Sequence, residues 1–261
     1  MGELDRAKVA AANDAWVVAP EGSEVMETEE YRLVRVPARF ADPLQVHWVR
    51  STRPAEAVLG DIVARAVGLG LPTALVYVKL SAPDGLDEAL LARGARLVDT
   101  ADVLALALPA VVKAPDLPGL EVRWMTTLEV ARDANIVNVT VFGGSPATDD
   151  VLARRAAAFD KKGTGGAQVA YLDGVPIASA GVEIADGVAR LWGGAVLEAY
   201  RGRGVYRALV ARRLAWAAER GATMALTHGR IATSSPILRR LGFVSYGQER
   251  TYKLDLVDDP G

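Results

Sequence analysis

Residues Ala195 to Leu214 read AVLEAYRGRGVYRALVARRL. The stretch opens as an apolar strand, passes through Arg201-Gly202-Arg203-Gly204, and ends as a basic amphipathic helix. A helix start exposes unpaired N–H groups and the positive end of the dipole. Phosphates bind there when the backbone can come close, which glycine permits. Arg201 and Arg203 add charge suited to a pyrophosphate. On the helix, Tyr206, Leu209, Val210, Leu214 and Ala217 share a face by three-and-four spacing. Arg207, Arg212 and Arg213 are expected largely off that face, with some able to reach a further phosphate. Two glycines alone fit a plain turn just as well. A dinucleotide fingerprint fits poorly, because the third glycine position holds Arg207 and the preceding strand belongs to an antiparallel hairpin.

The rest of the chain narrows the choice. Its 261 residues suit two domains of about 100–150 residues each. With 51% apolar and 24% charged residues it reads as a globular protein. Thirty basic against 32 acidic residues give a net charge of −2, so no basic field points to nucleic acid. The absence of cysteine excludes disulfides, thiolate metal sites and a cysteine nucleophile, and two histidines make a poly-histidine centre unexpected. The N-terminal residues are charged and lack a signal-peptide stretch. The longest apolar run, Val103 to Val112, is too short to span a bilayer and contains Pro109. No metal, no membrane association and a cytoplasmic location are therefore the expectations, with a monomer or homodimer as the assembly.

The stretch Lys113 to Val122, KAPDLPGLEV, reads as the connection between domains 1–113 and 114–261. Upstream, LQVHWVRS, TALVYVKL and ADVLALAL read as strands, and PAEAVLGDIVARAVGLG and DGLDEALLARG as helices. Downstream, LEVARDANIVNVTVF and ATDDVLARRAAAFDKKG read as helices. Three antiparallel strands follow, turned at Asp173-Gly174 and Asp186-Gly187. Then come helix 202–220, strand TMALTHG, helix SPILRRLG and closing strands over FVSYGQERTYKLDL. Gly94 and Gly242 each close a helix and precede a Leu-x-Leu by twelve residues (Leu106 and Leu108, then Leu254 and Leu256), which suggests one half-fold used twice.

Strand, then R-x-x-G-x-[GA], then helix resembles the acyl-CoA motif of the GNAT superfamily of N-acyltransferases. Here it reads Arg201-Gly202-Arg203-Gly204-Val205-Tyr206. ATMALTHGR followed by TSSPILRRLGF resembles the family's later strand and helix. The resemblance implies an α/β (α+β) fold of two GNAT-like domains, each a mixed, mostly antiparallel sheet flanked by helices. It implies an acyltransferase that uses acetyl-CoA and acetylates a primary amine of a small molecule or peptide. Val196, Leu197, Arg201, Gly202, Arg203, Gly204, Val205 and Tyr206 would contact the cofactor, with Ser234 or Thr233 adding a hydrogen bond. The first domain lacks the motif: its equivalent helix begins RSTRPAEAVLGD, with acids Glu56 and Asp61, and is expected to bind no CoA.

Two positions depart from the family. Tyr206 stands where the motif usually has Gly or Ala, so its ring is expected to enter the sheet. Leu238 stands where a tyrosine often protonates the departing thiolate. Ser235 before Pro236 reads as a helix cap. For the base that frees the amine there are two candidates, Glu183 ahead of His228 because its strand neighbours the strand before the turn. Glu183 shares a strand face with Gly181 and Ser179, which would leave room for a ligand, but a solvated strand-end glutamate fits the pattern as well. His228 ends a strand, and it reads equally as a proton acceptor or as a half-buried packing histidine. Trp192 reads as core or as pocket wall. The rival reading is an acyl-CoA-binding sensor or assembly module without turnover.

Overall fold

The computed structural model describes residues 4–37 and 42–256, and for residues 159–162 the backbone alone. The chain forms two compact units, each discontinuous in sequence. Among the described residues the N unit comprises Leu4–Leu104, His228–Ile237 and residues 245–256, and the C unit comprises Ala105–Thr227 and Leu238–Val244.

The N unit starts with α1 (Arg6–Ala15), β1 (Glu24–Glu27), β2 (Tyr31–Arg35) and β3 (Leu44–Val49). Then follow α2 (Ala55–Gly68), β4 (Thr73–Val78), α3 (Leu86–Ala92) and β5 (Arg96–Ala107), which passes into the C unit at Ala105. The C unit holds β6 (Leu120–Trp124), α4 (Leu128–Phe142), α5 (Asp149–Lys162), β7 (Gly165–Leu172), β8 (Val175–Ala185), β9 (Val188–Val196) and α6 (Val205–Glu219). The last elements are β10 (Met224–Arg230), α7 (Ser234–Arg240) and β11 (Val244–Asp255).

In the N unit β1, β2 and β3 pair antiparallel, β4 runs parallel to β3, and β11 closes antiparallel on β4. In the C unit β6 to β9 pair antiparallel and β10 runs parallel to β9. The strand pairing within each unit is therefore mixed and mostly antiparallel, as the resemblance implies. The two hairpin turns are where they were expected: Asp173 and Gly174 (φ 51° and 80°) and Asp186 and Gly187 (φ 51° and 74°) have both central residues left-handed. That twist matches the strands they join. Helix α4 spans the expected residues, capped by Thr127, whose Oγ1 accepts from Val130 N, with Val130, Ala131, Ala134 and Val137 buried at helical spacing.

The repeat seen in the sequence is a repeat of topology. Three antiparallel strands, a helix, a parallel strand, a short helix and a long strand occur from β1 to β5 and again from β7 to β11, with an N-terminal α1 before the first. Gly94 and Gly242 are both left-handed (φ 77° and 96°). Ala95 N donates to Leu90 O and Phe243 N to Leu238 O, the same six-to-one closure of each helix. The paired leucines that follow are all buried. Each half also bulges in its third strand, where β3 carries an extra residue at His47 and β9 one between Trp192 and Ala195.

Some local expectations need correction. Strand β6 begins at Leu120, inside the stretch read as a connection, where it pairs with Leu172. The closing segment is one continuous strand rather than several. Ser235 does not cap α7. It lies inside the helix, buried, and its hydroxyl donates to Asp102 Oδ2 at 2.5 Å. A cap stands just outside the helix, and α7 already begins at Ser234.

Candidate active site

Strand β9 delivers the chain to the glycine-arginine turn. Its first half pairs with β10 from Val188↔Met224 to Leu191↔Thr227. From Trp192 on its register is with β8, up to Val196↔Ala178. Leu197 N then donates to Ile177 O, and a short 3-10 turn, Glu198–Tyr200, leads to Arg201. Arg201 Nε donates to Val196 O at 3.2 Å, folding the turn back on the strand end. Gly202 and Gly204 are both left-handed, at φ 75° and 91°. That pair of conformations is what turns the chain into α6. Gly204 O accepts the first helical bond, from Ala208 N. The amides of Val205, Tyr206 and Arg207 precede that bond and are the donors a helix start leaves open. Arg201, Gly202, Arg203 and Arg207 are exposed around them. A Cβ on Gly202 would meet nothing within 4 Å, whereas one on Gly204 would stand 2.8 Å from Pro115 Cγ. The turn therefore has a helix start's donors and cationic neighbours, with Pro115 packed on the Gly204 side and open space at Gly202, which fits a phosphate group.

The face of α6 holds a surprise. Arg213, expected on the solvent side with Arg207 and Arg212, is 2% exposed. Its Nη1 donates to Gly181 O at 2.9 Å and its Nε to Leu209 O at 3.1 Å. Tyr206 sends its ring against β9, as expected, with Cε2 2.7 Å from where a Cβ of Gly194 would be.

The two proton-acceptor candidates fall in different surroundings. Glu183 is in the C unit, opposite Arg190 on β9, and its side chain is 53% exposed with Arg190 Nη1 at 3.7 Å. Its face is not the open space that Gly181 and Ser179 suggested. The Trp192 indole lies over Gly181, with ring atoms 2.3 Å from a notional Cβ, and Ser179 is buried. Trp192 itself is 41% exposed, so it is a lid on small residues rather than core.

His228 directly follows Thr227, the last residue of β10 that pairs with β9, and belongs to the N unit. It is half-buried. Asn13 Nδ2 stands 2.9 Å from His228 Nε2 and 3.1 Å from Glu249 Oε2, and the histidine and glutamate are 3.5 Å apart. The Asn13 amide thus ties the imidazole to the Glu249 carboxylate. Trp16 stacks on the imidazole at 4.9 Å. Lys79 fixes the partner helix end by donating to Asn13 O (2.7 Å) and Trp16 O (3.0 Å). Burial lowers the His228 pKa below its usual value, and Glu249 opposes that. Asn13, Trp16, Lys79 and Glu249 escaped the sequence reading because they come from three distant segments, with no spacing to connect them.

The remaining expected residues have these places. Ser234 Oγ accepts from Arg230 N at 2.9 Å, closing the loop before α7. Leu238 is buried. In the first half, the turn into α2 has no left-handed glycine pair, and Arg53 donates to Glu30 and to Asp61 at 2.8 Å each. Among the described residues no three His, Asp or Glu side chains gather as a metal site. No helix among them is long and apolar enough to cross a membrane.

Comparison with known proteins agrees with this geometry. Residues 138–243 match the acetyltransferase (GNAT) family. No curated protein matches the chain. Among solved structures it is similar to a GCN5-related N-acetyltransferase from Kribbella flavida, at 20% identity and TM-score 0.66, over 98% of this chain and 94% of that one. A GCN5-related N-acetyltransferase from Sphaerobacter thermophilus gives 19% and 0.64, over 90% and 83%. A tandem GNAT protein from the clavulanic acid biosynthesis pathway gives 17% and 0.65, over 96% and 88%. These identities establish a shared fold, and the family match falls on the segment that carries the glycine-arginine turn. Residues 138–243 are thus an acetyltransferase domain of the GNAT family, and the chain is an acyltransferase.

Proposed function

We propose that the chain transfers an acyl group, acetyl in the first instance, from acyl-CoA to a primary amine of a small molecule or peptide in the cytoplasm. The observation that carries this reading is the Arg201–Tyr206 turn, with its two left-handed glycines, open amides and exposed arginines. In this reading the pyrophosphate of CoA lies on those amides, and Val196 and Leu197 follow the pantetheine arm. Acyl-CoA binding belongs to residues 114–261. Residues 1–113 bind none, because the acids Glu30 and Asp61 already occupy Arg53 at the equivalent helix start.

Of the two proton acceptors, His228 is the better supported. A neutral, half-buried imidazole beside a carboxylate is poised to accept a proton, and Glu249 stabilises the imidazolium that results. Glu183 is more than half exposed and faces Arg190. In the step itself the amine nitrogen bonds to the thioester carbonyl carbon and the carbon–sulfur bond breaks. The ammonium proton passes to the base, directly or through water, and CoA leaves as a thiolate that water protonates. With a thiol pKa of about 8.5 that thiolate is a fair leaving group without the tyrosine that Leu238 replaces.

The test is calorimetric titration with CoA, followed by thiol release from acetyl-CoA across a panel of primary amines. Arg203 is exposed, with the Tyr200 ring 5.4 Å from its guanidinium, so Arg203→Glu should fold normally. It should weaken CoA by at least ~30-fold, since it replaces a charge-assisted contact by repulsion. Unchanged affinity would remove the cofactor assignment. His228→Gln should lower turnover ~100-fold or more with CoA affinity retained. Wild-type turnover in His228→Gln together with a large loss in Glu183→Gln would move the base to Glu183.

A further inference from the structure

Arg213 is a fully buried cation, and among the described residues no carboxylate pairs with it. Burial lowers its pKa to about 10. Its partners are two carbonyl oxygens, Gly181 O and Leu209 O, and the Tyr206 phenol. A guanidinium has no acceptor, so the phenol oxygen accepts from it. Tyr206 and Arg213 are seven residues apart on α6, hence on one face two turns apart. That face meets β8 and β9 where β9 bulges.

At the bulge, Ser179 pairs with Ala195 and Gly181 with Trp192, so one residue of β8 stands opposite Gly193 and Gly194. The extra β9 residue has no partner on β8. Gly193 is left-handed at φ 62°. Gly194 lacks a side chain where the Tyr206 ring sits, and Gly181 lacks one where the Trp192 ring sits. Gly181, which pairs with Trp192 at the edge of the bulge, has its carbonyl held by Arg213. Two glycines, two aromatic rings and a buried guanidinium therefore define one backbone shape. A hydrophobic side chain at 213 would pack there without the cost of burying an unpaired charge. What it would lack is a donor for Gly181 O and for Tyr206.

We propose that Tyr206 and Arg213 are positioning residues for acyl transfer, a clamp that holds the bulge of β9 at Gly193–Ala195 in the form that meets the acyl thioester. The inference rests on the acyl-CoA reading above. Helix α6 then has two tasks, binding phosphate at its first amides and fixing the acyl end of the same strand two turns on. It also explains why the motif ends in tyrosine here: the ring fills the space above Gly194, and the hydroxyl gives the buried guanidinium an acceptor.

The test compares wild type with Tyr206→Phe, Arg213→Met, Arg213→Lys and the double variant that combines Tyr206→Phe with Arg213→Met, each as the full chain. Tyr206→Phe removes a single oxygen and keeps the ring, so the result stands on it should Arg213→Met fail to fold. CoA affinity by calorimetry should stay within about threefold. Turnover with acetyl-CoA and the best amine of the panel should fall ~10-fold or more in Tyr206→Phe and Arg213→Met, with KM for acetyl-CoA little changed. The double variant should be no worse than the poorer single one, because both break one unit. Arg213→Lys should recover part of the loss through a bond to Gly181 O. Amide hydrogen exchange should quicken at Gly193–Ala195 and not in β6 or β7. The proposal is overturned by unchanged exchange at the bulge, by turnover within twofold of wild type, or by losses of turnover that track CoA affinity and global stability. Wild-type protein that failed to bind CoA would sink the acyl-CoA reading itself, while the exchange experiment would still show whether the clamp exists.

Discussion

At the scale of single residues, the structure turns on pairs in which one member gives up its side chain to the other. Gly194→Ala places a methyl 2.7 Å from the Tyr206 ring. We expect it to destabilise the protein by ~1–3 kcal/mol in urea unfolding, the usual cost of overpacking. The Tyr206→Ala, Gly194→Ala double variant should lose less than the sum of its parts, since the clash then disappears. His47, at the bulge of β3, is buried and stacked on Tyr77, and its Nε2 has no hydrogen-bond partner among the described residues. Burial, with Lys79 and Arg32, lowers its pKa to about 4. The unfolded chain, with histidine near ~6.5, then binds the proton more readily than the folded one. The stability this residue contributes is present above pH ~6.5 and is lost as pH falls toward 4. Between pH 7.5 and 5 the loss should be roughly 2 kcal/mol, and His47→Phe should remove that part of the slope in denaturation measured at both pH values. The sequence revealed the turn residues well, because glycine at positive φ leaves a mark in the chain. It misled on Arg213, which was read off the apolar face of α6 although its spacing of four from Leu209 and Ala217 and seven from Tyr206 lies on that face. Spacing was the better guide, because neighbouring carbonyls and a phenol can satisfy a guanidinium.

At the scale of elements, the start of α6 is the part most sensitive to small changes. Gly202→Ala costs left-handed strain alone, about 1 kcal/mol. Gly204→Ala has the same strain and also meets Pro115, 2.8 Å from its new methyl, so it should cost more. Pro115→Ala should return part of the difference, and thermal unfolding of the three variants reads it directly. For the same reason a charge at Arg203 tests phosphate binding more cleanly than a side chain at Gly204. Most elements were legible in the sequence because each carries its own signal. Helix α4 has a threonine cap and an apolar stripe, and β7 to β9 have Asp-Gly turns. Strands β1 and β2 had no such signal: β1 is four mostly exposed residues, too short for alternation to register. The His228 cluster was illegible for a different reason. His228 was visible as a residue, but the helix, strand and loop that give it Asn13, Trp16 and Glu249 meet only in the fold.

At the scale of the whole molecule, neither unit is a continuous piece of chain. Tyr252, Leu254 and Leu256 of the C-terminal region sit in the N-unit core with Leu44, Leu59 and Leu90. Each such buried side chain stabilises by about 1.5–3 kcal/mol. A chain ending at Val244 should therefore lose most of the N unit's stability, which is small in any domain at ~5–15 kcal/mol. Hydrogen exchange should show β4 unprotected in that chain while β7 to β9 keep their protection. Protected β4 amides would mean that the N unit folds without its last strand. The same feature has a consequence for how the protein is made. Val78 pairs with Arg250 across more than half of the chain. A ribosome therefore releases the first strands of the N unit long before it supplies the strand that covers them. The unit begun first is completed last, and during that wait β4 is an open edge of apolar residues. In the growing chain it is the segment we expect chaperones to meet.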